Sequence, residues 1–123
     1  MNSEYKFSFE KLEVWQESRA LTKDLYQETQ NFPKEEKFGI TNQIRRAAVS
    51  ICSNIEEGSS RTSQKDQAHF YQLAYSSLME VVNQIIISHD LEYIGENDLD
   101  SYRTQVEKLV NKLNALRNAR LNK

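Results

Sequence analysis

Turn-forming residues are scarce in this chain of 123 residues, which contains three glycines and one proline. An all-β sandwich or barrel needs many tight turns, so the scarcity argues strongly against both architectures. A Rossmann or P-loop fold needs a glycine-rich phosphate loop, and the sequence contains none. The composition therefore indicates a helical protein, and the length suits one domain.

Cysteine and long apolar runs are also nearly absent. Cys52 is the only cysteine, so neither an intrachain disulfide nor a cysteine-based zinc site can form. The longest aliphatic run is residues 85–87, far short of the ~20 residues that a membrane span requires. The N-terminus lacks the basic-then-apolar order of a signal peptide. We therefore expect a cytoplasmic protein that makes no membrane contact.

Apolar residues recur with helical spacing through four segments, which span about residues 9–30, 35–57, 64–93 and 98–121. The connections between them are short, so neighbouring helices should run antiparallel. The sequence thus predicts an all-α, up-down-up-down four-helix bundle in which residues 1–123 form one domain. Gly58 is predicted to close the second helix as a left-handed cap.

The third segment is apolar over a wider arc than a helix with one buried side needs. On a helical wheel its apolar residues fill about half a circle. The chain itself could bury this face, or part of it could meet another subunit. A helix in a four-helix bundle touches about two neighbours, which favours the second interpretation and an oligomer. The residues that we expect at a subunit interface are Tyr75, Met79, Val82 and Ile86.

Three separated motifs follow one another along the chain. They read Phe9-Glu10-x-Leu12-x-Val14-Trp15, then Gln43-Ile44-Arg45-Arg46-Ala47-x-x-Ser50-Ile51-x-Ser53-Asn54-Ile55-x-Glu57-Gly58, and then Phe70-x-x-Leu73-Ala74-x-x-Ser77-Leu78-x-Glu80. Together they resemble the signature of the four-helix-bundle proteins encoded in intervening sequences of bacterial 23S rRNA genes. The resemblance covers about residues 7–95.

This resemblance implies a four-helix bundle that assembles as a ring-like homopentamer. Similar proteins include the accessory variability determinant of diversity-generating retroelements, a basic pentamer that binds a reverse transcriptase and nucleic acid. The resemblance therefore implies three kinds of partner for this chain: other copies of itself, RNA or DNA, and a nucleic-acid-handling protein such as a reverse transcriptase.

Four polar residues of the second motif, Arg46, Ser50, Asn54 and Glu57, fall on one side of the second helix because their spacings are 4, 4 and 3. We expect them to fix helix packing, with Ser50 and Asn54 bonded to a neighbouring helix and Glu57 bonded to Arg46 or a backbone amide. The alternative is a site for a polar ligand or for subunit contact.

Catalytic chemistry has little support in the sequence. Di-iron bundles pair Glu-x-x-His units, and neither His69 nor His89 has a glutamate three residues before it. No nucleophile–base arrangement is suggested. We therefore expect no catalytic residue, no metal and no cofactor. An unrecognised enzyme that uses Glu57 or Glu80 is the least favoured alternative.

Positive charge is concentrated near the C-terminus. Residues 1–100 contain 10 basic and 17 acidic residues, whereas residues 101–123 contain six basic residues and one acidic residue. The six basic residues are Arg103, Lys108, Lys112, Arg117, Arg120 and Lys123. One interpretation is that they interact favourably with the dipole at the C-terminus of the helix and keep its surface solvated. The other is that they bind phosphates. A ring would repeat them in every subunit, so modest charges would add up.

Taken together, these features predict a non-catalytic homo-oligomeric scaffold that binds RNA, DNA or a protein that handles them. Any nucleic-acid contact should follow phosphates and not bases, because no stacking motif or zinc finger is present. The alternative is an oligomeric adaptor that binds only proteins and makes no nucleic-acid contact.

Overall fold

Four α-helices make up most of the computed structural model, which describes residues 4–122. They are α1 (Glu13–Thr29), α2 (Ile40–Ser60), α3 (Gln64–Asp90) and α4 (Glu96–Leu121). Short 3₁₀ helices at Ser8–Lys11 and Lys34–Glu36 precede α1 and α2. Within residues 4–122 there is no strand, so the prediction of an all-α protein is confirmed. No helix in this part of the chain is long and apolar enough to cross a membrane.

The first two helices begin later than the apolar spacing predicted. Leu12 adopts an extended backbone (φ −76°, ψ 127°) between the first 3₁₀ helix and α1. The carboxylate of Glu10 accepts a 2.8 Å hydrogen bond from the Phe7 N–H and so closes the 3₁₀ turn. Gly39, with φ −108° and ψ −122°, separates the second 3₁₀ helix from α2. Periodic apolar residues therefore continue across backbone breaks that periodicity alone does not reveal.

The third helix begins close to the predicted position and ends three residues early. Ser63 accepts a 3.0 Å hydrogen bond from the Asp66 N–H and so caps the N-terminus of α3. At the other end Glu92 has φ 66°, which turns the chain out of the helix. Tyr93, predicted to lie inside the helix, instead donates its hydroxyl to Glu36 at 2.8 Å.

Gly58 lies inside α2, so the prediction that it forms a left-handed cap is wrong. The helix continues to Ser60, and no glycine among residues 4–122 has a positive φ. Gly58 is buried against the ring of Tyr71 on α3. A Cβ atom at position 58 would stand 2.6 Å from Tyr71 Cε1, closer than real side chains approach. Glycine is therefore needed here because α2 and α3 pack closely at this point.

The core lies between the four helices, with α2 packed against both α1 and α3 and with α4 packed against α3. Its fully buried large side chains come from all four helices, namely Leu21, Leu25, Ile44, Ile51, Ile55, Tyr71, Leu78, Val81, Ile85, Leu109 and Leu113. The hydroxyls of Ser18 and Ser88 are also completely buried, without a hydrogen-bond partner in the described structure.

Candidate functional site

A polar cleft between α2 and α3 contains part of the second motif, and we call it the α2–α3 cleft. It is lined by Asn42, Gln43, Arg46, Ala47, Ser50, Ser77, Glu80 and Gln84. Arg46 and Glu80 are exposed, so one charge of each sign faces the cleft from opposite helices.

Hydrogen bonds at the floor of this cleft join the second motif to the third. Ser50 Oγ of α2 and Ser77 Oγ of α3 are 2.8 Å apart. Asn54 donates from Nδ2 to the Ser50 carbonyl at 2.9 Å and to Ser50 Oγ at 3.1 Å. Because Ser50 Oγ accepts from Asn54, its own proton is free to go to Ser77. Ser50 therefore bonds to the neighbouring helix as predicted. Both bonds of Asn54 stay within α2, so the prediction that Asn54 bonds directly to a neighbouring helix is wrong, and it supports the packing only through Ser50.

We expect Asn54→Ala to lower the free energy of unfolding by about 0.5–1.5 kcal/mol, the usual worth of such hydrogen bonds. The loss should stay within this range because Ser50 keeps its bond to Ser77. Urea denaturation would measure it, with Asn42→Ala as the control, since Asn42 is exposed and lines the same cleft. Equal stability of the two variants would contradict the packing role.

Glu57 pairs with a residue outside its predicted group. Its carboxylate forms a 3.0 Å ion pair with Arg61, so of its two predicted partners the bond to Arg46 is wrong, and the bond to a backbone amide stays a prediction. Eleven residues of helix separate Glu57 from Arg46, which is ~16 Å along the axis. The Arg61 guanidinium also lies 4.6 Å from the centre of the Phe70 ring. Glu80 lines the α2–α3 cleft and Glu57 does not, so the two carboxylates do not share a site.

Gln84 is a cleft residue that the sequence analysis missed. It is nine-tenths buried, and Oε1 has no hydrogen-bond partner within the described part of the chain. The sequence feature that could have identified Gln84 is its spacing of seven residues from Ser77, because this spacing places both side chains on one side of α3. Glutamine on an otherwise apolar side is easily taken for a solvent-facing residue.

An apolar groove lies on the other side of α3, and we call it the α3–α4 groove. Its lining includes three of the four predicted interface residues, Met79, Val82 and Ile86. Its α4 side is formed by Leu99, Tyr102, Arg103, Val106 and Glu107. The fourth predicted residue, Tyr75, is partly buried against the core outside this lining. Apolar side chains in the groove thus stay partly exposed to water.

Two of the predicted basic residues hold α3 against α4. Arg120 Nε donates to Gln67 Oε1 at 2.7 Å, and Arg117 donates from Nη1 to Gln72. Both arginines are partly buried. Their partners are neutral amides, so these hydrogen bonds do not offset the positive charge of either guanidinium.

Lys112 is bound to two glutamates of α1. Its ammonium lies 3.2 Å from the Glu13 carboxylate and also pairs with Glu17. Hydrogen bonds to Glu17 and Glu13 raise the pKa of Lys112 and outweigh its slight desolvation. These two carboxylates offset the charge that Lys112 would offer to a phosphate.

The remaining basic residues of α4 do not share a face. Arg103 lies at the α3–α4 groove, and Lys108 is exposed. Five residues separate them, so their side chains point about 140° apart around the helix. Lys123 lies outside the described residues. Positive charge that is concentrated in the sequence of α4 is therefore dispersed around its circumference.

Polar side chains fill much of the contact between α1 and α4. Tyr102 donates its hydroxyl to Glu28 at 3.0 Å, and Gln105 donates to Asp24 at 3.2 Å. Burial raises the pKa of Glu28, the Tyr102 hydrogen bond opposes this, and Asp98 adds to it. Burial and the Glu28 charge both raise the pKa of Tyr102, so its hydroxyl stays a donor.

Glu28→Gln should raise the melting temperature at pH 7, because the charged carboxylate destabilises the fold above its raised pKa. The amide oxygen still accepts from Tyr102. The wild type regains the difference as the pH falls through the raised pKa, since the protonated carboxyl is neutral as well. Calorimetry from pH 7 to pH 3 would measure this, with the exposed Glu35→Gln as control. A difference that persists unchanged at pH 3 would contradict the prediction.

No group of three or more His, Cys, Asp or Glu side chains in residues 4–122 is placed to hold a metal ion. The features that the geometry offers are therefore surfaces: the polar α2–α3 cleft, the apolar α3–α4 groove and dispersed basic side chains.

Comparison with known proteins gives two findings. The family model for the 23S rRNA-intervening sequence protein matches residues 10–115. Among solved structures, a protein of unknown function from the S23 ribosomal protein family of Bacteroides thetaiotaomicron is similar, with a TM-score of 0.78 and 19% identity over 85% of this chain and 95% of that one. At this identity the likeness shows the fold alone. No curated protein matches the chain.

Proposed function

Because the chain belongs to the 23S rRNA-intervening sequence protein family, we propose that it is a non-catalytic, homo-oligomeric scaffold built on an antiparallel four-helix bundle. Its partners on this proposal are other copies of itself and RNA, DNA or a nucleic-acid-handling protein. A reverse transcriptase is one such protein, as the resemblance to the accessory variability determinant implies.

The order of interhelical contacts supports the antiparallel arrangement. Thr22 of α1 lies 3.5 Å from Cys52 of α2, whereas Thr29, further along α1, binds Arg45, which comes earlier in α2. The same reversal relates the pairs Gln67–Arg120 and Gln72–Arg117 of α3 and α4. The contacts within both of these helix pairs therefore support opposite directions for the two helices that they join.

The α3–α4 groove is the observation that carries the oligomer. Met79, Val82 and Ile86 pack against the core on one side and remain partly open on the other. Burying apolar surface yields about 25 cal/mol per Å², and a second copy offers such cover without any further partner. Arg103 and Glu107 at the groove give a neighbouring copy one charge of each sign to pair with.

Light scattering on the purified chain tests the assembly. A ring-like homopentamer would give a mass about five times the 14.4 kDa of the chain at micromolar concentration. A monomer at that concentration would refute the scaffold. A stable assembly of another size would keep the scaffold and discard the pentamer.

Nucleic-acid contact is supported by cationic side chains whose charge is not offset by a neighbouring carboxylate. Arg117 and Arg120 are held by neutral glutamines, and Lys108 is exposed. A ring would present each of them several times, so weak contacts would act together. A gel-shift experiment with generic RNA and DNA at low salt tests this part of the proposal.

The ion pairs of Lys112 favour a second candidate, an oligomeric adaptor that binds only proteins. Glu13 and Glu17 offset one of the charges that a phosphate would need. If the wild-type oligomer binds neither RNA nor DNA at low salt, this adaptor becomes the better account.

A further inference from the structure

The two sides of α1 carry opposite charge. Its acidic residues contact α4, namely Glu13 and Glu17 at Lys112, Asp24 at Gln105 and Glu28 at Tyr102. Arg19 and Lys23 are exposed and lie four residues apart, so they share one side of the helix. The acidic residues of α1 thus face α4, and its basic residues lie on the side nearer to α2.

The contacts of the neighbouring Thr22 with α2 place Arg19 beside that helix. Its guanidinium lies 5.4 Å from the centre of the Trp15 ring. Burial raises the pKa of the Cys52 thiol on α2, and the Arg19 charge is close enough to oppose part of that rise. Thr22, between Arg19 and Lys23 in sequence, also contacts α2 through Cys52 and the Ala48 carbonyl.

Arg45 of α2 extends the same surface. Arg45 lies over the Tyr26 ring at 4.7 Å and donates to Thr29 Oγ1 at 2.9 Å and to the Tyr26 carbonyl at 3.1 Å. These bonds hold the guanidinium in place, and it has no carboxylate partner within residues 4–122. Arg46, the next residue, is turned about 100° around α2 and lines the α2–α3 cleft opposite Glu80, so it does not belong to this surface.

The basic side chains of this surface extend over a distance that is long enough to contact a nucleic-acid backbone at more than one point. Arg45 bonds to Thr29, which is ten residues beyond Arg19, so the two arginines lie ~15 Å apart along α1. A single strand that follows this line can therefore place more than one phosphate beside these cations. Lys23 falls between the two arginines.

We propose that this surface, the α1–α2 basic face formed by Arg19, Lys23 and Arg45 with Trp15 and Tyr26, binds the phosphate backbone of a single-stranded nucleic acid. The inference rests on the nucleic-acid contact of the proposed function and assigns that contact to α1 and α2 instead of α4. Charge complementarity selects the phosphates, and partly exposed aromatic rings beside arginines suit unstacked bases.

The distribution of charge is what separates this face from α4. Three cations from α1 and α2 lie along one surface, none of them ion-paired within the described residues. On α4, Lys112 is paired with carboxylates, and Arg103 and Lys108 point in different directions. Arg117 and Arg120 are partly buried and bonded to glutamines of α3. A polyanion that follows one path can therefore reach more charges on the α1–α2 basic face.

Salt titration of binding to a labelled 20-nucleotide single-stranded RNA tests the proposal with the full chain. The variant is Arg19→Gln/Lys23→Gln; Arg45 is kept because its bonds to Thr29 and Tyr26 contribute to packing. The matched control, Arg103→Gln/Lys108→Gln, removes the same charge from α4. Light scattering and circular dichroism confirm that both variants keep the assembly and fold of the wild type.

The α1–α2 variant should lower the slope of log K against log salt by about 1.4, since each of its two lost phosphate contacts on a single strand is worth ~0.7. The α4 control should keep the wild-type slope within a few tenths. An unchanged slope for the α1–α2 variant overturns the inference and leaves the proposed function standing. Absence of wild-type binding at low salt overturns both. Binding of poly-glutamate by this face without RNA binding assigns the face to an acidic protein and also overturns the inference.

Discussion

Gly58→Ala should lower the free energy of unfolding by about 1–2 kcal/mol, although alanine is the better helix former. The new Cβ would meet Tyr71 Cε1 at 2.6 Å, Tyr71 Cδ1 at 2.9 Å and the Gln67 carbonyl at 3.2 Å. Tyr71 is 1% exposed, so its ring has no free space to enter. Overpacking costs ~1–3 kcal/mol and occasionally more. We expect the upper half of that range because the Gln67 backbone must also shift, and subtracting the ~1 kcal/mol gained in helix propensity leaves a loss of about 1–2 kcal/mol.

Urea denaturation at fixed protein concentration would measure this loss, because assembly makes stability depend on concentration. Gly95→Ala is the matched control, since a Cβ there meets nothing within 4 Å. Tyr71→Leu removes the ring edge, so in the Tyr71→Leu background the Gly58→Ala change should cost less than in the wild type. Equal costs in both backgrounds would show that the ring is not what excludes a side chain at position 58.

Gly58 also shows why one structural role could be misread from the sequence. A glycine after an apolar helical stripe fits a left-handed cap, and a glycine inside a helix fits a close approach to a neighbouring helix. The two roles require the same residue at the same place in the apolar period. Only the continuation of α2 to Ser60 and the position of Tyr71 separate them.

The helices themselves were largely predictable because apolar periodicity reports burial directly. The ends of α1 and α2 were not, since Leu12 and Gly39 leave the helical conformation while apolar residues continue on both sides of them. The hydrogen bond between Ser50 and Ser77 was also partly foreseeable. Both serines occur in motifs, but the sequence does not state that these two residues meet.

Charge was the hardest property to place from the sequence. Counting along the chain selects α4, where basic residues are close together in the sequence but dispersed around the helix. The α1–α2 basic face is built from Arg19, Lys23 and Arg45, which lie in a region that is acidic as a whole. Their common surface depends on which side of α1 faces α4, and that is a property of the bundle.

Ile86→Asp should convert the assembled protein into a smaller species, and this is the largest effect that we expect on the oligomer. Ile86 lines the α3–α4 groove, which the proposed function assigns to contact with another copy. The change removes ~1.5–3 kcal/mol of apolar burial from each interface and places an unpaired carboxylate there. At 1.4 kcal/mol per tenfold, each contact is weakened by a factor of at least 10, and more where the charge is desolvated.

The neighbouring residue supplies the control for this experiment. Ile87 is 41% exposed, does not line the groove and is turned about 100° away from Ile86 around α3. Ile87→Asp should therefore keep the wild-type mass in light scattering, whereas Ile86→Asp should reduce it towards 14.4 kDa with its helical circular dichroism retained. Both variants add one carboxylate to α3 at neighbouring positions. A difference in mass between them is therefore caused by the face on which the charge lies and not by the charge itself. Disassembly by Ile87→Asp with Ile86→Asp still assembled would place the subunit contact on the outer side of α3 instead of the α3–α4 groove.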